Sequence, residues 1–166
     1  LFFHKIITSW TIFFNKSRLN RTFELRMSSD SECLISESIV LGRPAMGENL
    51  SDCSITDNWR IYRDDELVHS EALRIKGDVP RILHSTAGLG GARIVTTILY
   101  LGPKTEQLAE RMGRTLNQYP SNLGISCWNG KLVVRLAAQE VSTGKEDTVA
   151  LLCKLRQRDI PRVWQT

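Results

Sequence analysis

The sequence is poor in the residues that usually hold metals or disulfides, and the few it has are scattered. Its four cysteines, Cys33, Cys53, Cys127 and Cys153, include no pair at Cys-x-x-Cys spacing, and His4, His69 and His84 lie far apart. That pattern favours reduced, mostly buried thiols in a cytosolic protein over a disulfide framework or a zinc site. There is no Gly-x-Ser-x-Gly, no His-Glu-x-x-His and no Gly-Lys-Ser/Thr. Elbow hydrolases, zinc-helix proteases and Walker-type nucleotide binders therefore have no support. Long apolar runs are missing too. Leu1 to Phe14 is apolar but short, and His4 and Lys5 interrupt it. It fits neither a membrane span nor the charge-first order of a signal peptide, and is expected to be a truncated or altered start. The net charge of +4 is spread without a basic block, so it gives weak support to nucleic-acid binding. Low-complexity tracts and trustworthy internal repeats are absent.

What is present begins with a hairpin. Asn129-Gly130 separates two strand-like runs in Ile125–Leu136, and both central residues of a type I′ turn need positive φ. A two-residue turn pairs Trp128 with Lys131, Cys127 with Leu132, Ser126 with Val133 and Ile125 with Val134. Ile125, Cys127, Leu132, Val134 and Leu136 then share the expected core face, and Ser126, Trp128, Lys131, Val133 and Arg135 the other.

Other strands are expected at Thr11–Phe14, Arg21–Met27, Cys33–Leu41, Trp59–Arg63, Glu66–Arg74 and Ala92–Leu101, from β-branched content and alternation. In the fourth and fifth, Trp59, Ile61, Leu67, Leu73 and Ile75 supply the apolar positions. Helices are expected at Lys104–Gln118, with Leu108, Met112 and Leu116 as its stripe, and at Lys145–Arg158, with Val149, Leu152 and Cys153 on one face. Lys76–Gly91 reads as loop. Its Gly88-Leu-Gly-Gly precedes a strand, whereas a dinucleotide fingerprint follows one and opens a helix.

Few residues attract a chemical reading. Asp64, Asp65 and Glu66 fit a turn of solvated acids better than a general acid–base pair. His69 fits a surface or structural role better than a metal ligand. Trp128 and Tyr100 could stack on bases, but without a basic groove they fit a core or partner contact better. Glu48 stands in a loop restricted by Gly42, Pro44 and Gly47. A carboxylate anchored to nearby backbone N–H groups is one reading for it.

Residue patterns alone reach a soluble α+β domain. Ile39-Val-Leu-Gly-Arg-Pro-Ala-Met-Gly-Glu48 goes further: it resembles a motif of the urease accessory protein UreD (UreH) family. Trp59–Asp64, Leu89–Arg93 with Leu99–Pro103, Trp128–Leu136 and Pro161–Trp164 resemble four further blocks in family order. The resemblance implies an α+β, mainly β fold: a stacked, β-helix-like strand array with two α-helices in the C-terminal half. It covers residues 11–166, a UreD-like domain lacking the family's N-terminal strands; residues 1–10 are left unplaced.

The resemblance also implies a non-enzymatic, cytoplasmic urease maturation chaperone. Such a scaffold would bind apo-urease and the UreF-type and UreG-type (GTPase) accessory proteins, and would help deliver nickel to the urease active site. No tightly bound cofactor, nucleic acid or membrane partner is implied; nickel would be in transit. Glu48, inside the shared motif, is the candidate for the nickel route, because weak oxygen ligands suit transit. The competing reading is a basic protein- or RNA-interaction module without a metal role.

Overall fold

The computed structural model describes residues 3–43, 46–48 and 50–157, with side chains from Trp10 onward. The expected block at Pro161–Trp164 and the loop residues Pro44 and Ala45 lie outside the described residues. The chain is mainly β. In order it forms β1 (Phe3–Phe13), β2 (Arg18–Met27), β3 (Glu32–Leu41), β4 (Ser54–Arg63), β5 (Glu66–Lys76), α1 (Val79–His84), β6 (Ile94–Leu101), α2 (Thr105–Gly113), β7 (Asn122–Trp128), β8 (Lys131–Ala138) and α3 (Val141–Arg156). The α+β, mainly β class read from the sequence therefore holds, with two of the three helices in the C-terminal half. Two compact units result. One is built mainly from Ile12–Ser31 and Leu41–Gly91, the other from His4–Thr11, Glu32–Val40 and the chain from Ala92 on.

The second unit carries a five-stranded sheet in the order β1-β3-β6-β8-β7. Its hairpin has the register expected from Asn129-Gly130: Trp128 faces Lys131, Cys127 faces Leu132, Ser126 faces Val133 and Ile125 faces Val134. Asn129 and Gly130 take φ of 47° and 69°, as a type I′ turn requires. The face assignment needs correction. Leu132, Val134 and Leu136 are buried, but Cys127 is exposed and Ile125 only half-buried. β7 is the edge strand and has a neighbour on one side only. β8 lies between β6 and β7, and Val133, expected outside, is 3% exposed, while Arg135 on the same face is exposed as expected. Of the thiols, Cys33 and Cys53 are buried and Cys153 is half-buried.

The helices pack on this sheet through Leu108 and Met112 of α2 and Leu151, Leu152 and Leu155 of α3, which join Leu34, Ile94, Ile98 and Leu132 in one core cluster. α2 is shorter than the expected Lys104–Gln118: it ends at Gly113, and Leu116–Gln118 is a separate 3-10 turn. α3 starts four residues before the expected Lys145, because Gly144 is a packing residue and not a breaker. A Cβ there would lie 2.3 Å from Ile94 Cγ2, so the missing side chain lets the helix approach β6. Buried hydroxyls complete this contact. Ser38 Oγ and Thr96 Oγ1 are 2.8 Å apart, Thr96 Oγ1 and Thr148 Oγ1 are 3.1 Å apart, and Thr148 Oγ1 donates to the Gly144 carbonyl.

The first unit carries a three-stranded sheet in the order β2-β4-β5, with β2 parallel to β4 and β5 antiparallel. Phe23 and Trp59, opposite each other in the register, meet edge to face at 6.0 Å. Arg21 grips Asp57 with two bonds, Nε to Oδ1 at 3.0 Å and a terminal nitrogen to Oδ2 at 2.6 Å. Asp57 is buried, so the pairing offsets the desolvation of its charge. Leu67, expected among the buried apolar positions, is 46% exposed, because the β4–β5 register shifts between Ile61 and Tyr62. The short helix α1 was missed in a stretch read as loop. Asp78 caps it by accepting from Arg81 N–H at 3.2 Å, and Val79 and Leu83 are its buried side.

The hairpin supports a paired test. Leu132→Ala should lower stability by about 2–5 kcal/mol, because Leu132 is fully buried. Cys127→Ala, one rung across, should stay within about 0.5 kcal/mol as an exposed site. Urea denaturation of both variants checks the contrast; equal effects would contradict it.

Candidate functional site

At the end of β3 the chain turns through Gly42 (φ 80°) into a tight loop that Gly47 (φ 69°) helps to close. The loop is pinned by the backbone first. Glu48 N–H and Met46 N–H both donate to the Arg43 carbonyl, at 3.3 and 2.9 Å, and Gly42 N–H reaches the Phe13 carbonyl at 2.7 Å. Side chains then close it again. Arg43 Nε donates to Glu48 Oε2 at 2.5 Å, and Asn15 N–H donates to Glu48 Oε1 at 2.9 Å. The Arg43 guanidinium also lies 5.2 Å from the centre of the Phe14 ring, a cation–π contact. One carboxylate thus joins the loop to the β1–β2 connection.

Asn15 returns the connection from the other side. Its Oδ1 accepts from Ser51 N–H at 3.2 Å, Ser51 Oγ at 3.1 Å and Asp52 N–H at 2.9 Å. One terminal nitrogen of Arg18 donates to both carboxylate oxygens of Asp52, at 3.0 and 2.8 Å, and the Asp52 carbonyl accepts Lys16 N–H at 2.7 Å. The β1–β2 connection and the described residues of the loop after β3 therefore satisfy part of each other's polar groups.

The Arg43 hydrogen bond and the Asn15 N–H hold the Glu48 carboxyl below the ordinary carboxylate range, against a smaller opposing effect of burial. Glu48 in turn raises the Arg43 guanidinium. The result is an oriented, ionised carboxylate with a partly exposed counter-cation: the Glu48 side chain is 21% exposed and Arg43 49%. Such a carboxylate is a poor general acid near neutrality. It can act as an oxygen ligand or as an anchor. Sequence reasoning singled out Glu48 but missed Arg43 and Asn15. The Arg43–Glu48 pairing across a glycine-bounded turn was a readable signal. Asn15 had none, because its partners lie more than 30 residues away.

The remaining candidates separate. Asp64 and Asp65 form the β4–β5 turn with φ of 47° and 65°; Asp64 accepts Ser29 N–H and Asp65 pairs with Arg26. His69 is buried, 3.7 Å from Glu71. Tyr100 is a core residue whose hydroxyl donates to Glu32, and burial pushes its pKa up to about 12. Trp128 is exposed under the Lys131 ammonium. In the glycine stretch, the N–H groups of Gly88 and Gly90 both donate to the Ser85 carbonyl and are engaged within the turn. Among the described residues, no three His, Cys, Asp or Glu side chains are grouped to hold a metal, and no helix is long and apolar enough to cross a membrane.

Residues 7–165 match the family model described as UreD urease accessory protein. The chain belongs to that family. Relatives include the urease accessory protein UreD of Xanthobacter autotrophicus, 36% identical over 156 residues, which are 94% of this chain and 54% of that protein. UreD 3 of Methylorubrum extorquens is 39% identical over 158 residues, 94% of this chain and 53% of that protein. UreD of Rhodopseudomonas palustris is 32% identical over 154 residues, 93% and 55% respectively. The chain spans about half the length of these curated relatives. The glycine-bounded Arg43–Glu48 loop lies within the matched region.

Asn15→Ala strips one acceptor from three exposed donors and should destabilise the fold by about 0.5–1.5 kcal/mol, measured by denaturant unfolding. A pH titration isolates Glu48. Its folded pKa lies below the ordinary value of 4.5, so its stabilisation is complete above that value and fades as pH falls through the depressed one. Glu48→Gln should therefore be less stable than the parent chain near neutrality, and the gap should close in acid. A gap that does not change with pH would contradict the ion pair.

Proposed function

We propose that the chain serves in a urease maturation chaperone, a non-enzymatic cytoplasmic scaffold for apo-urease and for UreF-type and UreG-type accessory proteins, through which nickel is delivered as cargo. The observation that carries this reading is the family match over residues 7–165. The chemistry of the loop is compatible with it. A soft Cys/His cluster would trap nickel, whereas isolated carboxylate, carbonyl and water oxygens bind it weakly enough to release it.

Glu48 is the proposed point of contact with the cargo. Asn15 N–H fixes one oxygen, while the other is held by an arginine that is half in solvent. A cation would take Oε2 by displacing Arg43, and the arginine would re-form the pair once the cation leaves. That exchange favours passage over retention.

The test uses the full-length protein carrying Glu48→Gln, assembled with UreF, UreG and apo-urease under limiting nickel. We expect an intact complex, and urease with reduced nickel content and activity. Lower complex yield with normal nickel per assembled urease would assign Glu48 to loop anchoring alone. Failure of the parent protein to bind either the accessory proteins or urease, together with steeply salt-dependent RNA binding, would instead favour the basic interaction module.

A further inference from the structure

The first unit holds a second polar feature that the carboxylate loop does not use. An open pocket of about 490 Å³ lies between the end of β5 and α1, lined by Arg74, Asp78, Arg81, Ile82, Ser85, Ala87 and Gly88. Its volume falls in the range typical of small-ligand sites. The geometry points to a site for an oxyanion, a phosphate or carboxylate group held between the Arg74 and Arg81 guanidinium groups, with Ser85 as a hydroxyl donor.

Three observations support this. The first is charge. Both arginines are exposed on the lining, and among the described residues neither guanidinium has an ion-pair or hydrogen-bond partner. The single carboxylate nearby, Asp78, is turned to its own helix, where Oδ1 accepts Arg81 N–H. Two arginine forks facing one cavity match the planar, multidentate geometry of carboxylate and phosphate oxygens.

The second is that the wall is built. After α1 the chain folds back through Gly88 N–H and Gly90 N–H to the Ser85 carbonyl, Leu89 N–H to Ile82 and Gly91 N–H to Leu83. A Cβ on Gly88 would lie 2.2 Å from the Ile82 carbonyl oxygen, so this close return needs glycine. The third is the lining's apolar part. Ile82 and Ala87 give the pocket a surface that would exclude water from one side of a bound anion and strengthen its bonds to the arginines.

The test titrates the chain with inorganic phosphate and, separately, with succinate, following the Arg side-chain Nε–H resonances at low ionic strength. We expect saturable shifts at Arg74 and Arg81 together. Arg74→Gln and Arg81→Gln should each weaken binding by about tenfold or more, while Arg60→Gln, an exposed arginine of β4 outside the pocket, should leave it unchanged. Gly88→Ala, with both arginines present, should weaken it through the displaced wall. Saturation by phosphate alone or by succinate alone would support the site and name its preferred group. Shifts that do not saturate, that spread equally over all arginines, or that survive both glutamine variants would overturn it. Because the resonances are read in the folded parent chain, the proposal stays testable if a variant does not fold.

Discussion

The first unit depends on one carboxylate with two fixed partners. Glu48 receives Arg43 on one oxygen and Asn15 N–H on the other, and Asn15 Oδ1 collects three donors from Ser51 and Asp52. Each segment satisfies part of its own backbone, as Met46 and Glu48 N–H do at the Arg43 carbonyl, but Asn15, Ser51 and Asp52 N–H are met across the two segments. An irregular loop has no ladder, and unpaired polar groups that lose water are costly. The reciprocal arrangement answers such groups in the β1–β2 connection and in the described loop residues together. It also explains why the loop charge is an acid: amide and guanidinium donors converge on the site, and only an ionised carboxylate accepts both with a charge-assisted bond.

The second unit is held by other means. The register of its β7–β8 hairpin is set by the Asn129-Gly130 turn, and Leu132, Val133, Val134 and Leu136 of β8 are buried. α3 approaches the sheet closely at Gly144, where the hydroxyls of Ser38, Thr96 and Thr148 form a buried chain ending on the Gly144 carbonyl. β3 is buried along its whole length although it contains two glutamates and two serines. The glutamates are answered by Thr11, which donates to Glu37 at 2.6 Å, and by Tyr100, which donates to Glu32. These two glutamates are therefore paired members of the core.

Much of this was legible in the sequence where the signal was local. Strand positions, the hairpin register and the two C-terminal helices all follow from turn chemistry and periodicity within about fifteen residues. The misreadings share a cause. Cys127 was assigned to the core because alternation reports a face, and only the strand order reveals that β7 is an edge. The last helix is expected to start only at Lys145 and Lys76–Gly91 reads as loop, because sequence does not say whether a glycine such as Gly144 or Gly88 turns the chain or lets two elements touch. The Asp78 cap and Pro80 were available to announce α1, but the surrounding glycines outweighed them. In the loop, Glu48 was readable from a restricted backbone and a family motif. The hub at Asn15 was not, since it is made by folding.

Glu48 is a carboxylate held below the ordinary carboxylate range, with one oxygen bonded by Asn15 N–H and the other by a half-exposed arginine. That it organises the loop is the central claim, and the amide of Asn15 reports on it directly. Hydrogen exchange should be measured residue by residue in the parent chain and in Glu48→Ala at neutral pH. We expect protection of the Asn15 amide to fall by about tenfold or more, with Ile55 in the interior of β4 unchanged. Equal Asn15 protection in the two proteins would contradict the role given to the carboxylate.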